Sequence, residues 1–246
     1  MITNVEGLTT PPDANSNSES AARPANDDSI TIDAPSVLLP LELVARPYLA
    51  QEAAESQDLL MANGFGESFG EWQRAAQSSS GVIATAALYL LTRQPSPENE
   101  SLFRGGLENP DESVRALAAY GLVRLGDNAA LVILQQVARL NPDVFLGATR
   151  AAGLLGELGE AAGYATILRG MDSMISAIRI MATRNLLPFV DLHGRTYAQG
   201  IKIDIWALYE RALTDNELNV RLVARAQLAI IDLPEATELL ARHPNL

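Results

Sequence analysis

The chain has 246 residues, 48% of them apolar but only 5% aromatic, which suits one extended domain or two small ones built from close-packed helices rather than sheets. It contains no cysteine, which excludes disulfides, thiolate metal sites and cysteine nucleophiles. The formal charge of −12 disfavours general attraction to nucleic acid or an anionic membrane.

Residues 1–38 are rich in Ser, Asn, Asp, Pro and Thr, and Glu6, Asp13, Glu19, Asp27, Asp28 and Asp33 outweigh Arg23. Such a segment cannot bury enough apolar surface to offset its ordering entropy, so a disordered acidic tail is expected, with "DSITIDAPSVLL" at 28–39 as the place for any docking motif. It also lacks the basic start and apolar run of a secretory signal. Residues 39–80 read as a helical cap. Pro47 suits a first helical position and Asn63-Gly64 a stop. The glycines of "GFGESFG" at 64–70 are wrongly spaced for a nucleotide-binding loop and follow no strand. A turn whose Phe65, Phe69 and Trp72 plug the end of a core is the better reading.

From about residue 79 a rhythm begins. Helix-start signals fall at Ser79, Asn109, Asn141, Asp172 and Thr214, at intervals of 30, 32, 31 and 42. Asn109-Pro110-Asp111-Glu112 and Thr214-Asp215-Asn216-Glu217 are expected to cap their helices through the first side chain, with the glutamate reaching back. Val114, Ala118, Leu122 and Leu125 recur at helical spacing, as do Val220, Ala224, Leu228 and Ile231, and Val82, Ala86 and Leu90. "LFRGGLENPDESVR" at 102–115 is echoed by "LYERALTDNELNVR" at 208–221. Helix pairs this short cannot hide their apolar faces alone and are expected to stack in file over 81–246.

On these residues the chain resembles HEAT repeats, and "DESVRALAAYGLVRLGDNAALVILQQVARL" at 111–140 resembles the HEAT-like subtype named after phycobilisome lyases. The resemblance implies an all-α fold, a right-handed α-solenoid of about five helix pairs. It also implies a ladder in which Asn109 pairs with Arg115 and Asp215 with Arg221, interrupted in the units starting at Asn141 and Asp172.

Catalytic motifs do not emerge. His193 and His243 are too far apart for a histidine metal motif, and both are expected to be solvent-exposed. No metal, cofactor or enzymatic activity is expected. Arg139, Arg169 and Arg211 each precede the next start signal. They could line a basic stripe, but a cation in each last turn, offsetting the helix dipole, fits the recurrence better. The stretch 187–203 lengthens the fourth unit by roughly 11 residues, a size often functional in loops. Trp206, just after it, is either an exposed anchor or covered by the insertion. Second-helix positions Arg104, Gln136, Tyr164, Trp206 and Glu210 are expected to face a groove that binds a protein or peptide partner. The expected function is thus a cytoplasmic interaction scaffold or regulatory adaptor. The alternatives are a bilin lyase or chromophore-handling chaperone, which the subtype resemblance permits, and an oligomerising component whose ends stack.

Overall fold

The structure is a computed structural model that describes residues 47–197 and 200–244. The expected acidic tail, its 28–39 motif and the first residues of the cap lie outside the described residues. Those described belong to one compact unit, and it is predominantly helical.

Helix α1 runs Pro47–Ala62 and stops where Gly64 takes a φ of +81°, a left-handed conformation only glycine adopts freely. Ser68 then caps α2 (Phe69–Ala75) by accepting from the Glu71 amide, while Glu71 accepts from the Gly66 amide. Phe65 and Phe69 pack against the core and Trp72 is inside it. The glycine-rich turn is therefore structural. Next come α3 (Gly81–Arg93), a 3-10 turn at Pro97–Asn99 and α4 (Glu100–Gly106). They are followed by α5 (Glu112–Arg124), α6 (Ala130–Ala138), α7 (Gly147–Glu157) and α8 (Tyr164–Met171). Beyond them lie α9 (Ser176–Arg184), α10 (Ile205–Leu213), α11 (Leu218–Ile230) and α12 (Pro234–Arg242).

The odd-numbered helices pack in sequence, α1 on α3, α3 on α5, α5 on α7, α7 on α9 and α9 on α11. The even-numbered helices lie against them: α4 on α5, α6 between α5 and α7, α8 between α7 and α9, and α10 and α12 on α11. Small residues set the closeness of these contacts. A Cβ on Gly106 would lie 2.8 Å from that of Ala118, and one on Gly170 would lie 2.8 Å from that of Ala182. Larger side chains at these positions would force the helices apart.

The junctions before α3, α5, α7, α9 and α11 carry one recurring turn. The side chains of Ser78, Asn109, Asn141, Ser173 and Asp215 each accept the backbone amide two residues on. These turns correct the expected caps. Asp111 caps α5 by accepting from Ser113 and Val114, and Glu217 caps α11. Asn109 instead shapes the turn before the cap, as Asp215 does in the other junction, because a side chain bonding its own backbone two residues on fixes a tight turn. Thr214 does not cap, its hydroxyl donating to the Glu210 and Arg211 carbonyls.

The arginine pairing also differs from expectation. Arg115 donates to the backbone carbonyls of Asn109 and Pro110, and Arg221 to that of Asp215. Arg179, in a unit where the ladder was expected to be interrupted, donates to the Ser173 carbonyl and forks onto both Asp215 carboxylate oxygens at 2.7 and 3.0 Å. The link therefore crosses from one helix pair to the next.

The first half of the stretch that lengthens the fourth unit packs into the interior. Leu187–Leu192 forms a 3-10 helix with Leu187, Pro188, Phe189 and Leu192 buried, and Phe189 packs where Gly156 of α7 leaves room. Only its second half projects, as an antiparallel pair of β1 (Thr196–Tyr197) and β2 (Ile201–Lys202). Val82 departs from the expected apolar series: it is exposed, whereas Ala86 and Leu90 are buried.

Candidate interaction groove

The helix row formed by α1, α3, α5, α7, α9 and α11 curves until its first member meets its fourth. Glu52 on α1 pairs with Arg150 on α7 at 2.7 Å, and the Tyr89 hydroxyl on α3 donates to the Leu49 carbonyl at 3.4 Å. In front of this row lie two adjoining cavities. The larger, about 540 Å³, touches all of these helices except α11 and is bordered by Val82, Val144 and Leu146. The smaller, about 190 Å³, continues between α1, α7, α9 and α11 and shares Glu52, Glu55, Arg150, Met181 and Arg184 with the first.

Three features make this groove receptive. Val82, Val144 and Leu146 are among the exposed large apolar side chains, and contiguous exposed apolar surface marks interaction sites more often than chance exposure does. Charge is divided: Glu55 stands exposed on α1, with Arg184 exposed on α9 opposite it. Neither forms an ion pair with a described residue. Glycines bring the helix starts close together; a Cβ on Gly147 would meet the Ser113 amide nitrogen at 2.7 Å.

Beneath one end of the groove is a buried ionic cluster. Arg150 and Glu157 stand seven residues apart on α7 and so share a face. Glu157 takes a bidentate bond from Arg93 at 2.6 and 3.2 Å and a third from the Tyr120 hydroxyl at 2.8 Å. The Arg93 guanidinium also lies 4.3 Å from the centre of the Tyr89 ring. Burial, followed by the Glu157 charge, pushes the Tyr120 phenol up, so it stays protonated and remains a donor. Arg124 donates to the Thr92 carbonyl at 2.7 Å. The cluster ties α3, α5 and α7 together at their C-terminal ends and stiffens the groove floor.

The expected binding residues lie elsewhere, on the second-helix row. Arg104 on α4 is exposed and bridges Glu100 and Asp127. Gln136 is exposed on α6. Tyr164 is only 3% exposed, and its hydroxyl accepts from the Asp204 amide at 3.0 Å. It is a core residue, not a groove residue, because its ring fills the space between α8 and the segment leading into α10. Trp206 is half-buried between His193 and Tyr209, with ring centres 5.9 and 6.2 Å away, so the insertion does fold over it. Glu210 holds His243 at 2.7 Å and Arg242 at 3.0 Å. His243 is therefore anchored, not free, while His193 is exposed as expected and accepts from the Ile205 amide.

Arg169 and Arg211 form no basic stripe. Arg169 reaches the Arg139 and Leu140 carbonyls, and Arg211 the Met171 carbonyl with Asp172 beside it. Each closes the orphan carbonyls of the preceding even helix. Among the described residues no cluster of His, Asp and Glu could hold a metal ion, and no helix is long and apolar enough to cross a membrane. Sequence reasoning missed Val82, Val144 and Leu146, although an apolar residue near each start signal, repeated in Ile175 and Leu218, was a visible cue. No family model matches this chain, and no curated protein matches it significantly.

Proposed function

We propose that the protein is a HEAT-like α-solenoid acting as an interaction scaffold or regulatory adaptor, and that it holds a protein or peptide partner in the groove before its odd-numbered helices. The observation that carries this reading is the exposed Val82–Val144–Leu146 surface at the mouth of a cavity spanning five helices. The recurring Ser78, Asn109, Asn141, Ser173 and Asp215 turns support the stacked-repeat architecture, since each helix pair leaves a face that only a neighbour can cover. A groove formed by helix rows suits an extended peptide or a helix.

Affinity capture with quantitative mass spectrometry tests the reading. Partners retained by wild type and by Val132→Asp, on the outer surface of α6, should be lost from Val144→Asp. Equal recovery on all three, or none above bare resin, would reject it.

A further inference from the structure

Helix α11 ends the row. It packs on α9, α10 and α12, and no other described helix covers its remaining side. That side is apolar along the helix except at Asn219. Leu218 and Leu222 are 50% and 45% exposed, and Ile230 is 41% exposed. Ala226 and Ala229 between them are also exposed. At about 100° per residue these positions span an arc of roughly 120°, the width of a helix face built to be buried.

The interior helix α5 shows what such a face is for. Arg115 and Arg221 occupy the same place in their turns, so Leu222, Ala226 and Ile230 correspond to Ala116, Tyr120 and Arg124. Those three are 0%, 0% and 7% exposed, because α7 follows α5. In α11 the equivalent surface has no successor among the described residues.

The order of side chains points to the occupant. About Ala226 the face within α11 is balanced: Leu222 lies one turn before it and Ile230 one turn after it. An antiparallel copy would set Leu222 against Ile230 and Ala226 against its own counterpart, the small side chain letting the helices approach at the crossing. That is the self-complementarity a two-fold interface requires. No charged side chain stands in the stripe, so two chains that are each strongly acidic meet there without like charges opposed. We infer that a second copy of this chain packs its own α11 antiparallel on this face, forming a two-fold dimer whose seam runs along the rim of the groove. A single helix pair buries on the order of 1,000 Å², the low end for specific interfaces, so the dimer should be reversible in the micromolar range.

Sedimentation equilibrium of the full chain across that range should show monomer and dimer. Leu222→Asp should raise the dissociation constant at least about 100-fold, since the change acts twice per dimer, with helical content and Tm unchanged because Leu222 is exposed in the single chain. Ala226→Cys, the only cysteine in its chain, should link into dimers under mild oxidation, and Val132→Cys should not. A monomer at all concentrations, a dimer indifferent to Leu222→Asp, or equal linking by the two cysteine variants would overturn the proposal. Val144→Asp should leave the dimer intact, so failure here and failure of the groove reading are distinguishable.

Discussion

Glu157 is the side chain on which the packing of α7 most depends. Its carboxylate is nearly buried, with two arginine bonds and a tyrosine bond on it. Replacing one partner of a buried ion pair strands the other, at a cost of about 3 kcal/mol. Glu157→Gln keeps the shape and removes the charge, and should lower Tm by roughly 6–12 °C for a domain of this size. Arg104→Ala, which breaks two exposed pairs, should leave Tm unchanged; equal shifts in the two variants would show that burial is not what gives the Glu157 pair its value. Glycines offer a second contrast. A Cβ on Gly163 would lie 2.4 Å from the Ala152 carbonyl oxygen, whereas one on Gly105 would meet nothing within 4 Å. Gly163→Ala should therefore destabilise by about 1–3 kcal/mol. Gly105→Ala should stabilise by up to about 1 kcal/mol through helix propensity alone. Chemical denaturation of the two variants reads both signs.

Between elements, the clearest link is the fork from Arg179 on α9 to Asp215, ahead of α11. The hydrogen bonds from Arg179 hold the Asp215 carboxyl below its ordinary value. A carboxylate lowered by folding contributes stability above its unfolded pKa, near 3.9, and that stability is lost as pH falls through the lower folded value. Asp215→Asn should therefore be less stable than wild type at neutral pH, with the gap closing below about pH 4; a gap independent of pH would show that the pair contributes packing rather than charge. The fork was only half legible in the sequence. Asp215 stood out as the expected partner of Arg221, but the arginine on its carboxylate sits 36 residues upstream, in a unit where the ladder was expected to be interrupted. Position in the turn, not the preceding side chain, determines where the guanidinium lands.

For the whole molecule, the position of α1 determines whether the groove is enclosed. Its described attachments are packing on α3, the Tyr89 bond to Leu49 and the partly exposed Glu52–Arg150 pair across the groove. Such a pair contributes well under 1 kcal/mol to global stability, yet it is local to one helix. Arg150→Ala should raise amide exchange in α1 and leave α10–α12 unaffected; unchanged exchange in α1 would assign its placement to apolar packing alone. The sequence by itself determined the helices, their junctions and the small residues where they touch, because capping, turn chemistry and 3.6-residue periodicity act over a few neighbours. Only the tertiary structure decided that the odd helices, not the even ones, front the groove, that Tyr164 is interior, and that half of the insertion belongs to the core. The direction in which a helix row bends depends on the relative bulk of contacts between residues tens of positions apart, and no local pattern records that sum.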